Sequence, residues 1–220
     1  RCAIGGCTQK TIAAYGVNSY AVGTSATDVY YASSDTNDVY TLQKAPLDFS
    51  AAATAIATPA SEINGLVVDG TDVFYATGDG VFGCTPTCSA NAITQGQAVD
   101  AELLATDTKN VYFSSTPYLG TPAVLAVPRT GGPPITIASD VTVPNGVATD
   151  GTYVYFADIG DTANTADGKV VRCPVTGCTP QTETVLSTGA ATGDNPRAVI
   201  ATPNAVYWGT RGGHIWRLAK

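Results

Sequence analysis

Methionine is absent from this 220-residue chain, and histidine occurs once, at position 214. A triad of the Ser-His-Asp kind or a histidine-based metal centre would have only His214 to draw on. That residue stands two positions before Trp216 at the start of a strand-like run, the ordinary setting of a surface or packing histidine. Charged residues make up only 13% of the chain, and the net charge is −7. An acidic chain is repelled by phosphate backbones and by anionic lipid, which argues against nucleic acid or a membrane surface as partner. No apolar run approaches the roughly 20 residues of a membrane-spanning helix. No Asn-x-Ser/Thr sequon occurs, so N-glycosylation lends no support to a eukaryotic secretory route.

What the chain does hold is glycine (23), proline (13) and a 44% hydrophobic share. That combination suits a turn-rich β protein with a sizeable core. The stretch Asn145–Phe156, N-G-V-A-T-D-G-T-Y-V-Y-F, reads as an apolar run, a glycine-containing turn and a second apolar-aromatic run, hence a hairpin. It recurs around Val29-Tyr30-Tyr31, Val73-Phe74-Tyr75, Val111-Tyr112-Phe113 and Val206-Tyr207-Trp208. The five anchor valines are separated by 44, 38, 43 and 52 residues. A period near 40–50 with several strands per unit is the signature of a β-propeller. Helical repeats of similar period would need apolar residues at i, i+3 and i+4, whereas these units show β-branched and aromatic clusters cut by Gly, Pro, Asp and Asn.

The expected fold is therefore all-β: a single domain over 1–220, a five-bladed propeller of four-stranded antiparallel blades. In the fourth unit the strands fall at about Gly146–Thr149, Tyr153–Ala157, Lys169–Cys173 and Glu183–Ser187. The second unit gives Leu66–Asp69, Val73–Ala76, Val81–Cys84 and Ala92–Thr94; the third gives Leu103–Thr106, Val111–Ser114, Val124–Val127 and Ile135–Ala138. The second strand of each unit is apolar on both faces, as a strand sandwiched between neighbouring sheets would be. The fifth unit stops at Lys220, short of a fourth strand. Arg1-Cys2-Ala3-Ile4-Gly5-Gly6-Cys7-Thr8 aligns with Arg172-Cys173-Pro174-Val175-Thr176-Gly177-Cys178-Thr179. Residues 1–27 are thus expected to complete the last blade and open the first, with Thr8–Ala14 pairing beside the Trp216 strand and closing the ring. The alternative is a piece of a longer array.

Six cysteines fall as three close pairs, Cys2/Cys7, Cys84/Cys88 and Cys173/Cys178. Even pairing at short spacing reads as disulfides in an oxidising compartment. With no leader at Arg1, the chain is expected to be an already processed, secreted or cell-surface protein, bacterial rather than eukaryotic. A structural zinc site would need two such pairs brought together, whereas propeller geometry spreads the turns between third and fourth strands around the rim.

The repeat resembles the YWTD/NHL-type β-propeller repeats of extracellular proteins. Tyr155-Phe156-Ala157-Asp158 stands where that family has Tyr-Trp-Thr-Asp, and Gly168-Lys169-Val170-Val171-Arg172 resembles its following strand. The other units have Ser33, Thr77, Ser115 and Thr210 in place of the aspartate. The resemblance implies protein or ligand binding and nominates no catalytic residue.

In such a fold the loops that enter each first strand and those that leave each second strand share one end of the channel. The residue nine before each anchor valine opens the first strand there: Tyr20, Asn64, Glu102, Asn145 and Arg197. A core position would be uniform and apolar; this one is polar and varied, as a ligand-reading ring would be. A row of solvated strand starts, with Asn favoured by turn geometry, is the alternative. Asp158, Asp161, Asn164 and Asp167 line one long loop with hard oxygen ligands of the sort Ca²⁺ takes, although the spacing is not that of an EF-hand. The same residue types are ordinary turn formers. The first functional expectation is an exported module that binds a protein or glycan at the channel mouth. A glycan-active hydrolase would need two carboxylates on that face, with Glu62, Glu102 and Glu183 among the acids available. A structural subunit of a surface assembly would show a large apolar patch instead.

Overall fold

The computed structural model describes residues 18–84, 87–89, 91–95, 97, 99–117, 120–161, 167–189 and 194–220, with side chains from 21 onward. Five antiparallel sheets follow one another along the chain. Blade 1 comprises β1 (Asn18–Thr24), β2 (Asp28–Ser34), β3 (Tyr40–Pro46) and β4 (Thr54–Ala57). Blade 2 comprises β5 (Gly65–Asp69), β6 (Asp72–Thr77) and β7 (Gly80–Cys84). Blade 3 holds β8 (Ala101–Thr106), β9 (Asn110–Ser115), β10 (Ala123–Pro128) and β11 (Ile135–Ala138). Blade 4 holds β12 (Pro144–Thr149), β13 (Tyr153–Asp158), β14 (Lys169–Pro174) and β15 (Thr184–Thr188), and blade 5 holds β16 (Pro196–Ala201), β17 (Ala205–Thr210) and β18 (Ile215–Ala219). Each first strand touches the first strand of the next blade, from β1 through β5, β8 and β12 to β16. No comparable contact of β16 with β1 occurs among the described residues. The expected closing segment Thr8–Ala14 and the Cys2/Cys7 pair lie outside them.

The second strands are the structural spine. After a half-buried first residue, β2, β6, β9 and β13 are buried at every position. Alternate side chains face opposite neighbours, as the two-residue strand period requires. In β6, Val73 and Tyr75 pack towards blade 1 with Tyr30, Leu42 and Ile63, while Phe74 and Ala76 pack towards blade 3 with Val111 and Phe113. In β9, Tyr112 turns the other way and joins Val154, Phe156 and Val171 of blade 4. The core is therefore a series of inter-blade layers. Full burial of one such aromatic or aliphatic side chain contributes roughly 1.5–3 kcal/mol.

The turns between first and second strands repeat one device. Asp107 accepts the backbone amides of Lys109 and Asn110 and the Tyr112 hydroxyl. Asp150 does the same with Thr152, Tyr153 and the Tyr155 hydroxyl. A cation from the following blade then seals two of these turns. Arg129 pairs with Asp69 and Asp72 of blade 2 and lies over the Phe74 ring, and Lys220 pairs with Asp150 of blade 4.

The turns that follow third strands dock on the preceding blade. In blade 3 the Gly132 amide donates to the Ile93 carbonyl at 2.9 Å, and in blade 4 the Cys178 amide donates to the Ile137 carbonyl at 2.8 Å. Gly177 sits in this turn at φ +98°, and a β-carbon there would meet the Thr136 carbonyl oxygen at 2.9 Å. Left-handed backbone with no room for a side chain explains the glycine. Disulfides Cys84–Cys88 and Cys173–Cys178 are formed.

One expectation needs correction: among the described residues blade 2 is three-stranded, not four-stranded. Blade 5 also shows three strands there, and the segment expected to supply its fourth, Thr8–Ala14, lies outside the described residues. Ala92–Thr94, expected as the outer strand of blade 2, begins a turn that continues through Gln95 at φ +55°. The Cys84–Cys88 link sends the chain straight back across β7. Only isolated bonds, Ser89 to Gly83 and Ile93 to Val81, then replace a ladder.

Candidate functional site

At the end of the sheets where first strands begin, Asn64, Glu102 and Asn145 come from three successive blades to line one open cleft of about 430 Å³, together with Glu62, Ile63 and Leu103. Glycine makes this convergence possible. A β-carbon on Gly65 would collide with the Glu102 carbonyl oxygen, and one on Gly146 would lie 2.7 Å from the Ala198 α-carbon. The Asn-Gly pairs Asn64-Gly65 and Asn145-Gly146 therefore let each first strand press against the next blade's backbone while the asparagine faces the cleft.

A second feature aims these side chains. The pairing register slips between Ser19 and Val22, between Ala101 and Leu104, between Pro144 and Val147, and between Pro196 and Ala198. Each irregularity spans one of the candidate positions, at Tyr20, Glu102, Asn145 and Arg197. Bulges of this kind redirect a side chain and leave local backbone out of the ladder. In blade 2 the Asn64 amide donates to the Ala76 carbonyl at 2.9 Å, just ahead of the regular ladder.

Each cleft residue is held from one side. The Asn64 amide group donates to the Ala101 carbonyl at 3.2 Å, the Thr116 hydroxyl donates to Glu102, and the Gly146 amide donates to the Asn145 side-chain oxygen at 3.1 Å. Arg197 is exposed on β16 and is not among the residues lining this cleft. The Tyr20 side chain lies outside the described atoms.

Two second-strand ends, at Ser115 and Asp158, tie down loops that lead to the cleft residues. Ser33, Thr77, Ser115, Asp158 and Thr210 are all buried polar side chains at one repeat position. Ser115 donates to the Val99 carbonyl, three residues before Glu102. Asp158 accepts the amides of Thr142, Val143 and Gly160, the first of these three residues before Asn145. A short polar side chain thus ties each of these loops to the strand end beneath it.

The same geometry bears on the calcium expectation. Asp158 is buried with its carboxylate turned to backbone amides, and Asp167 accepts the Asp161 amide at 3.0 Å. Asn164 lies outside the described residues. Among the described residues no group of three or more His, Cys, Asp or Glu side chains is gathered for a metal ion. His214 is exposed at the turn after β17, where its carbonyl accepts the Thr210 amide. Sequence reasoning counted Glu62 among the acids available for this face without placing it in the ring of mouth residues, and it missed Thr116 as the partner of Glu102. Glu62 stands two residues before Asn64, and that proximity was the available signal.

The sequence matches no family model and no curated protein. Solved structures do resemble the fold. A chain of the nidogen/laminin complex superposes with a TM-score of 0.70 at 15% identity, covering 93% of this chain and 76% of that one. The WD40 β-propeller domain of Doa1 gives 0.61 at 14% identity, covering 94% and 66%, and BamB from Moraxella catarrhalis gives 0.58 at 18%, covering 90% and 56%. At these identities the likeness is one of fold, and the fold is that of a β-propeller.

Proposed function

We propose that this β-propeller is an exported binding module that takes a protein or glycan ligand at the cleft formed by Asn64, Glu102 and Asn145, with Arg197 and Tyr20 at its margin. The carrying observation is that three polar residues, far apart in sequence, share one cleft through glycine-tight contact between first strands. Two amides offer paired donors and acceptors, and Glu102 adds an acceptor with charge. Two disulfides among the described residues support an oxidising, extracellular setting. Glycan-array binding of the whole chain, compared with Glu102→Gln and Asn145→Ala, tests the reading. Array signals that survive both substitutions at unchanged strength would move the site elsewhere.

A second reading has one specific observation behind it: Glu62 and Glu102 line the same cleft. Paired carboxylates on one face are what glycoside hydrolysis requires. Turnover of chromogenic glycosides, abolished by both Glu62→Gln and Glu102→Gln, would establish it. Absence of turnover with binding retained leaves the module non-catalytic.

A further inference from the structure

The dipeptide Asn-Gly occurs at Asn64-Gly65 and at Asn145-Gly146, and both asparagines line the mouth cleft. This dipeptide carries a reaction of its own. The backbone nitrogen after an asparagine can close a five-membered ring on the side-chain carboxamide, and a glycine there puts no β-carbon in the way. The two copies share that chemistry and differ in geometry.

Asn64 is held away from the reaction. Its side-chain amide donates to the Ala101 carbonyl of the next blade at 3.2 Å, and its backbone amide donates to the Ala76 carbonyl at 2.9 Å. Gly65 then enters a regular ladder opposite Ala76. Asn145 is held the other way. The register of β12 on β13 slips between Pro144 and Val147, so residues 145 and 146 fall within the bulge. The Gly146 amide points back at its own neighbour, 3.1 Å from Asn145 Oδ1, and the carboxamide carbon is one bond from that oxygen. Reacting groups form bonds from separations of roughly 3–3.5 Å. Among the described residues no other hydrogen bond ties the Asn145 carboxamide. The side chain is half-buried and faces the open cleft, so water reaches it.

From the bulged, self-directed Gly146 amide and the untethered Asn145 carboxamide, we propose that Asn145-Gly146 is a site of spontaneous succinimide formation, with Asn64-Gly65 protected. The Gly146 nitrogen gives its proton to solvent and bonds to Asn145 Cγ. The Cγ–Nδ2 bond breaks, and Nδ2 takes a proton from solvent and leaves as ammonia. Water then opens the imide at one of its two carbonyls. One opening gives aspartate, and the other gives isoaspartate, whose main chain runs through the side-chain carbons. The sum is one water consumed and one ammonia released. Either product adds a carboxylate beside Glu62 and Glu102, which disfavours acidic ligands. Isoaspartate also inserts a methylene into the backbone where Gly146 presses against Ala198. The reaction proceeds whatever the cleft binds.

The test is peptide mapping of the whole chain, disulfides intact, after incubation in mildly alkaline buffer, with and without urea. The peptides holding Asn64 and Asn145 are followed for the mass gained when an amide becomes an acid, and isoaspartate is assayed in each. In the folded chain Asn145 should convert about tenfold faster than Asn64, through the geometry that only it has. In urea the two rates should come together, because only the shared dipeptide remains. Isoaspartate should appear at position 145, and Asn145→Gln, which would need a six-membered ring, should remove the conversion there. Equal rates in the folded chain, or faster conversion at Asn64, would overturn the assignment. So would a ratio that survives unchanged in urea, which would place the difference in flanking sequence. Aspartate without isoaspartate would mean direct hydrolysis with no part for the Gly146 amide, and would overturn it too.

Discussion

Lys220 reaches Asp150 across 70 residues of sequence, with its Nζ 2.6 Å from Oδ2 and 4.9 Å from the centre of the Tyr155 ring. Burial alone would raise the Asp150 pKa. The Lys220 bond, the Tyr153 and Thr152 amides and the Tyr155 hydroxyl override that effect and hold it at about 2, against an ordinary 3.8. The folded value lies below the unfolded one. The stabilisation is therefore complete above the unfolded pKa and disappears as pH falls towards 2. Solvent screening at this partly exposed pair reduces it to about 1 kcal/mol. Urea unfolding of Asp150→Asn should show a smaller loss of stability between pH 6 and pH 2.5 than the parent chain shows. An identical loss would mean the carboxylate is not coupled to folding.

Gly146→Ala should destabilise by about 1–3 kcal/mol, because its β-carbon would press on the Ala198–Val199 backbone and strand backbone cannot step aside cheaply. Gly209→Ala serves as the control. No atom lies within 4 Å of a β-carbon there, and the midpoint of urea unfolding should stay put or rise.

Arg129→Ala should cost about 1–3 kcal/mol in thermal or chemical unfolding. It removes two ion pairs and the cover over Phe74, leaving Asp69 and Asp72 facing one another without a cation. Adding Asp69→Asn to that variant should recover part of the loss; no recovery would place the effect in packing on Phe74.

Replacing Cys173 and Cys178 together by serine should lower stability by about 1–3 kcal/mol, the range for a short closed loop. Peptide mapping without reduction should recover Cys84 with Cys88 and Cys173 with Cys178, each within a single short peptide.

Alanine at Glu102 and Arg197 should leave thermal stability within about 1 kcal/mol, since neither side chain is buried. Binding to any array-identified glycan should weaken. Loss of stability with unchanged binding would show that these residues only start strands.

Much of this architecture was legible because the second strands carry an unusually plain signal. A Val-aromatic-aromatic triplet every 38 to 52 residues marks strands buried on both faces, and β6, β9 and β13 fall on it. The candidate positions were legible as a polar register in an apolar repeat. The register slips at Glu102 and Asn145 were not, because a bulge alters pairing without altering the apolar pattern that announces a strand. Ala92–Thr94 has a strand's composition, and the nearby Cys84–Cys88 turn overrides it. The pairings of Lys220 and Arg129 depend on which blade sits beside which, and no local pattern states that.

The amides that Gly132 and Cys178 donate backwards, to Ile93 and Ile137, give the assembly a direction. Each of these outer segments is completed by the blade that follows it, and the Asp150 turn is sealed from the same side. Neighbour coupling of this kind makes stability a chain of pairwise links. Deleting a blade takes an amide donor and a counter-ion from its predecessor and a carbonyl acceptor from its successor, whose own amide is then left unpaired. Amide exchange at Gly132 and Cys178 should therefore quicken whenever the blade before them is loosened. Those two amides would act as the gauges that report whether the preceding blade is in place.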